Sequence, residues 1–161
     1  MKEVALFLLA TIALVGCTSP RTSAIAPSPE WQIVSVHDGD IIRVRRNNVE
    51  LKIRFACIDA PELKQPLGEE SRNYLRSLLP KGKSVGVKVV DVDRYGRSVA
   101  EVFADGQLVQ AKQAEQGTVY VYQKYLHNCP DAKLVTDAEA IAKGKQIGVW
   151  AGDYQKPWDY I

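Results

Sequence analysis

The stretch Arg54-Phe55-Ala56-Cys57-Ile58-Asp59-Ala60-Pro61-Glu62 constrains this chain more than any other. Its apolar run, Phe55 to Ile58, reads as a buried strand, and Pro61 lacks the N–H that would continue a ladder. Arg54 stands at one end of the run, and Asp59 and Glu62 stand at the other. A core strand does not need an arginine and two carboxylates packed so closely. The arrangement suits a site in which Asp59 holds a cation, Arg54 binds an anion and Glu62 stays free as a base. A plainer reading remains open at this point. Asp-Ala-Pro-Glu is also a good turn sequence, and Arg54 also fits a solvated strand end.

The flanking segments say what this strand belongs to. Ile33, Val34 and Val36 predict a strand over 31–36, His37-Asp38-Gly39-Asp40 a tight turn, and Ile42 and Val44 a returning strand over 41–45. Asp-Gly between apolar runs is a strong hairpin signal. Arg46-Asn47-Asn48 then turns the chain into the strand Val49 to Ile58. Strict alternation puts Arg54 and Asp59 on opposite faces, so this strand must bend or bulge before Asp59.

A helix is predicted over 66–79, with Leu67, Ser71, Tyr74, Leu75, Leu78 and Leu79 on one side and Pro80 and Gly82 as its stop. Strands over 85–91 and 98–103 flank the turn Asp93-Arg94-Tyr95-Gly96-Arg97, and Asp105-Gly106 forms another turn. A second helix spans 107–116, closed by Gly117, although Lys112 and Gln113 stand where an apolar face is expected. Residues 119–125 alternate Val and Tyr. The last helix spans 130–143 with Leu134, Ala138, Ile141 and Ala142 inward, and the closing tryptophans are expected to pack on the barrel. The expected fold class is α+β, mainly β: a five-stranded OB-fold β-barrel with three helices.

At 161 residues the chain suits one folded domain, expected over 30–161. Its 21 basic and 19 acidic residues nearly cancel, so an anionic partner must be met by local positive groups rather than a global field. Residues 1–16 read as a leader of the lipoprotein type: Lys2 precedes the apolar run Val4 to Gly16, too short to span a bilayer comfortably. Leu14-Val15-Gly16-Cys17 looks like a bacterial lipobox, in which Cys17 carries the lipid (palmitate among its acyl chains) and becomes the mature N-terminus. The chain is then held at a bacterial cell envelope, in the outer membrane, the periplasm or the cell surface. A plain secretory signal and a secreted protein is the alternative. Residues 17–29, rich in Ser, Thr, Ala and Pro, read as a flexible tether. Cys57 and Cys129 remain, as a disulfide in an oxidising compartment or as two buried thiols. No Cys/His spacing suggests zinc.

Three distant segments therefore carry charge at a strand end: Asp38-Gly39-Asp40, Arg54 to Glu62, and Asp93 to Arg97. Asp40, Asp59 and the Ala60 carbonyl offer hard oxygens to a cation, and two arginines suit a phosphodiester whose transition state gains negative charge. The order Asp-Gly-Asp, Arg-x-x-x-x-Asp-x-Pro-Glu, Asp-x-Tyr-Gly-Arg resembles the thermonuclease (staphylococcal nuclease-like) family, from about Trp31 to Trp158. The resemblance also takes in Ala104-Asp105-Gly106, Gln116-Gly117 and Gly148-Val149-Trp150.

That resemblance implies calcium-dependent hydrolysis of DNA and RNA, with water attacking phosphorus and the 5′-oxygen leaving. Asp40, Asp59 and the Ala60 carbonyl match the calcium ligands. Glu62 matches the proposed general base, and Arg54 and Arg97 match the arginines that grip the phosphate. Tyr95 matches within its turn, whereas Tyr120, Tyr122 and Tyr125 compete for the tyrosines that flank the nucleotide. Bases stacking on such residues favour single strands, and a monomer is expected. The rival reading is a non-catalytic OB-fold nucleic-acid-binding module.

Overall fold

The computed structural model describes residues 30–160, so the expected leader 1–16, the lipid-bearing Cys17 and the tether 17–29 lie outside the described residues. The strands are β1 (Trp31–Val36), β2 (Ile41–Arg46), β3 (Val49–Phe55), β4 (Ile58–Asp59), β5 (Ser84–Val92), β6 (Ser98–Ala104), β7 (Gln107–Leu108) and β8 (Tyr120–Val121). The helices are α1 (Gly68–Leu78), α2 (Val109–Glu115) and α3 (Ala132–Lys145).

Alternating apolar residues in β1, β2 and β3 form the antiparallel meander, and β1 continues onto β5 and β5 onto β6. The parallel pairing of β3 with β6 closes the circle into a five-stranded barrel. Ile33, Val44, Ile53, Phe55, Val85, Ala100 and Val102 fill it, each at most 2% exposed. Each larger apolar side chain so buried contributes about 1.5–3 kcal/mol. The expected OB-type α+β barrel with three helices is what the chain forms.

The second helix starts at Val109 rather than Gln107, because Gln107 and Leu108 pair with β6 as β7. Four further details differ from expectation. The strand predicted to run to Ile58 breaks at Cys57, whose φ of 72° separates β3 from β4. This is the bend that the alternation of Arg54 and Asp59 required. Helix α1 begins at Gly68 rather than Pro66, because Leu67 adopts a left-handed conformation with φ 67°. The segment 119–125 is extended only over β8 and then coils into a 3-10 helix, Gln123–Asn128. In α3, Ala138 and Ala142 are buried as expected, but Leu134 and Ile141 are 53% and 43% exposed, and Val135 and Glu139 are buried in their place. Glu139 sets this rotation. Its Oε1 accepts from the Val121 N–H at 2.7 Å, and its Oε2 meets Lys143 Nζ at 2.7 Å.

The polar face of α2 has a similar cause. Gln110 is fully buried, donating to the Ala100 carbonyl at 2.9 Å and accepting from the Val102 N–H at 3.2 Å. It completes the hydrogen bonding of β6 where no strand does so. Gln110→Leu keeps the volume but leaves a buried N–H unpaired, so the domain should lose about 1–3 kcal/mol in urea denaturation. Unchanged stability would mean that water serves Val102 equally well.

Candidate active site

The turn between β1 and β2 closes by a hydrogen bond from His37 N–H to the Ile41 carbonyl at 2.9 Å. Asp38 Oδ1 accepts from the N–H groups of Asp40 (3.1 Å) and Ile41 (2.7 Å), so this acid is spent on holding the turn. Gly39 is required by space. A Cβ there would collide with Ser71 Oγ and lie 2.6 Å from the Ala60 Cβ. From behind, Gln113 Nε2 on α2 donates to the Gly39 carbonyl at 2.6 Å. The turn is thereby pressed against α1, α2 and Ala60, and Asp40 leaves it in one direction.

Pairing of Ile41 with Arg54, and a bond from Phe55 N–H to the Asp40 carbonyl at 2.8 Å, set Asp40 beside the end of β3. The left-handed Cys57 then returns Asp59 to the same side as Arg54. One guanidinium bridges the two acids: Arg54 Nη1 lies 3.2 Å from Asp40 Oδ1, and Nη2 donates to Asp59 Oδ1. Asp40 Oδ2 also accepts from the Ala60 N–H at 3.0 Å. Burial, then the Asp40 charge, push the Asp59 carboxyl above its ordinary range in spite of Arg54. Asp38 is raised by the same two causes. Burial opposes the charge of Arg54, but Asp40 and Asp59 override it and hold the guanidinium above its usual value. Among the described residues no three His, Cys, Asp or Glu side chains gather into a metal cage. The hard donors here are the pair Asp40 and Asp59.

Glu62 follows β4 on a loop and is exposed to solvent. Its backbone is held by Gln65, whose Oε1 accepts from the Glu62 N–H at 2.8 Å while its own N–H donates to the Glu62 carbonyl at 2.8 Å. The Gln65 side-chain amide also donates to the Gln155 carbonyl at 3.1 Å, tying this loop to the C-terminal segment. Helix α1 starts hard against the same loop, and a Cβ on Gly68 would collide with the Glu62 carbonyl oxygen.

The third segment is the β5–β6 turn. Asp93 Oδ1 accepts from the N–H groups of Tyr95 (2.9 Å) and Arg97 (3.0 Å), and Asp93 Oδ2 pairs with Arg97 Nε. Burial opposes the Asp93 charge, but these donors and the Arg97 charge together hold its carboxyl below the usual carboxylate range. Arg97 and Arg94 lie over the Tyr95 ring at 5.3 and 4.8 Å.

All five charged residues singled out in the sequence, Asp40, Arg54, Asp59, Glu62 and Arg97, line one cleft of about 860 Å³, together with Ala60. The pairing of β4 with β8 brings an aromatic wall to its far side. Tyr122 and Trp158 lie parallel there with ring centroids 5.1 Å apart, and Tyr125 meets Tyr122 edge-on at 5.1 Å. Tyr95, Tyr122 and Tyr125 line the cleft. Tyr120 does not. It is 1% exposed, its hydroxyl donates to the Val149 carbonyl at 3.2 Å, and its ring packs between Trp150 and Trp158. Cys57 and Cys129, which also border the cleft, are joined by a disulfide. Sequence reasoning missed Gln65 altogether and gave Trp158 only a packing role, not a place in the cleft. It did register Gln113 as a misplaced polar residue, which was the available signal for its role.

The model of the family described as "Staphylococcal nuclease homologue" matches residues 52–152. The chain belongs to this family. Within that stretch lie Arg54, Asp59, Glu62 and Arg97, whereas Asp40 and Trp158 fall outside it. An uncharacterized endonuclease of Escherichia coli O157:H7 is 36% identical over 129 residues, covering 79% of this chain and 81% of that protein. One of Haemophilus influenzae is 32% identical over 121 residues, covering 74% of this chain and 65% of that protein. The probable staphylococcal-like nuclease CAN3 of Oryza sativa subsp. japonica is 34% identical over 131 residues, 81% of this chain and 32% of that protein. The chain thus spans about a third of the length of the rice relatives it matches.

Gly68 offers a test of how this member of the family holds Glu62. Helix propensity alone makes Gly→Ala stabilising by about 0.5–1 kcal/mol. Gly68→Ala should do the opposite, lowering the melting temperature and shifting the backbone amide resonances of Glu62 and Gln65. A rise in melting temperature with those resonances unmoved would show that the contact is relaxed at little cost.

Proposed function

We propose that this domain is a calcium-dependent nuclease that hydrolyses phosphodiesters of DNA and RNA. The observation that carries the reading is the convergence of Asp40, Arg54, Asp59, Glu62 and Arg97 on one cleft. Glu62, exposed and held through its backbone, takes a proton from the attacking water. Arg54 and Arg97 donate to the phosphate oxygens as negative charge grows on them, a task for which their planar forks are suited. The bond to the 5′-oxygen then breaks.

The donor set fits calcium. Carboxylate and carbonyl oxygens suit a hard divalent ion, and the repulsion between Asp40 and Asp59 calls for positive charge. Asp40, Asp59 and the Ala60 carbonyl would hold the ion, which would supply positive charge facing the phosphate. The aromatic wall favours single strands, whose bases are free to stack. One chain supplies all five charged groups, which supports a monomer.

Glu62→Gln should lower turnover on DNA by about 10²–10⁴-fold while oligonucleotide binding persists, and a calcium chelator should abolish cleavage by the unaltered chain. A non-catalytic binding module would instead retain the nucleic acid intact with calcium, with magnesium and with chelator alike. Unimpaired cleavage by Glu62→Gln would remove that residue from the role.

This reading has the domain working outside the cytoplasm, lipid-anchored through Cys17 at a bacterial envelope. The Cys57–Cys129 disulfide supports an oxidising compartment. Metabolic labelling with a clickable fatty acid should mark the full chain and be lost in Cys17→Ser. Equal labelling of both would rule out Cys17 as the anchor.

A further inference from the structure

We propose that Trp158 forms a nucleobase-stacking subsite of the cleft, so that the C-terminal segment takes part in binding single-stranded nucleic acid. The inference rests on the nuclease reading for the class of ligand, and it concerns a residue beyond the stretch matched to the family.

Residues 155–159 are anchored at several points that do not involve the Trp158 ring. The Gln65 amide donates to the Gln155 carbonyl at 3.1 Å, and Gln155 Nε2 donates to the Asp159 carbonyl at 2.8 Å. Pro157 is buried. Lys156 Nζ lies 4.1 Å from the Tyr120 ring centroid and 4.7 Å from that of Trp150. The segment is therefore positioned by its backbone and its neighbours.

Trp158 is nevertheless 41% exposed and lines the same cleft as Glu62 and Arg54. One face of its ring is taken by Tyr122, parallel to within 4°, and Tyr120 meets it at an interplanar angle of 72°. With Tyr122 stacked on it and Tyr120 beside it, the ring still keeps open surface in the cleft. A large apolar ring held flat against a second ring is a rigid platform, and it has little conformational entropy left to lose on binding. Stacking needs only a π-face, so the platform takes any base. It also gives Gln65 a coupling role: one amide side chain holds both the loop of the proposed base and the segment of the platform.

The test uses the full chain carrying Glu62→Gln, with calcium and separately with chelator. Fluorescence anisotropy reports binding of a labelled octathymidylate and of the same octamer with its bases removed. The base-bearing strand should bind more tightly than the abasic one. Adding Trp158→Leu, which keeps an apolar contact on Tyr120 but offers no π-face, should reduce that preference by about tenfold. Trp158→Phe should retain most of it, and affinity for the abasic strand should be the same in all three.

A base preference that survives Trp158→Leu, or a loss that falls equally on both strands, overturns the proposal. Should the Leu variant unfold, tryptophan emission decides. Octathymidylate should quench the Trp158 chain more than Trp158→Phe, and equal quenching refutes the subsite. Digestion by the unaltered chain judges the nuclease reading separately. A chain that never cleaves but shows Trp158-dependent base preference would lose the first reading and keep this one.

Discussion

The structure turns on one guanidinium held between two carboxylates. Asp40, at the end of the β1–β2 turn, and Asp59, in β4, are brought together by the pairing of β2 with β3 and the bend at Cys57. Both carboxylates are buried, and burial penalises the charge of Asp59. Arg54 makes the arrangement tenable, one nitrogen to each acid. A fixed planar fork spans two acceptors in a way that an ammonium does not. The start of β2, the end of β3 and the whole of β4 are thus locked into one charged unit. The same unit presents cationic and anionic groups side by side at the cleft, which is what a phosphodiester and a hard cation together require.

Behind this face stands a layer of buried amides. Gln113 holds the Gly39 carbonyl, Gln65 holds Glu62, and Gln110 completes β6. Barrel ends are where ladders run out, and each backbone group left there needs a side chain or water as partner. Glutamine supplies both a donor and an acceptor on a long arm. The interior polarity of α2 is therefore part of how the site is built. It also explains why the turn that delivers Asp40 cannot drift.

Much of this could be read from the chain because local rules and chemistry agreed. Asp-Gly between apolar strands specified the first turn, and the clash between strand alternation and the shared roles of Arg54 and Asp59 demanded a bend that Cys57 provides. The charged set was readable since Arg54, Asp59 and Glu62 sit within one short segment. What failed were judgements that depend on distant partners. The Val/Tyr alternation of 119–125 gave no hint that only two residues pair with β4. Tyr120 and Tyr122 look equivalent in sequence, yet one is enclosed by Trp150 and Trp158 and the other faces the cleft. Apolar periodicity placed Leu134 and Ile141 inward because it gives no weight to an acid, and Glu139 with its partners turned α3 away.

The disulfide adds a constraint of another kind. It joins residues 72 apart in sequence, one just ahead of Asp59 and the other just past the 3-10 helix of the aromatic wall. Closing a loop of that length removes chain entropy from the unfolded ensemble worth about 4 kcal/mol. That is a large share of what keeps a domain of this size folded. The bond also straps the acidic and aromatic sides of the cleft to each other, so reduction would loosen the groove at the very point where its two halves meet. The domain's durability, and the shape of its groove, are thereby indexed to the redox state of whatever surrounds it.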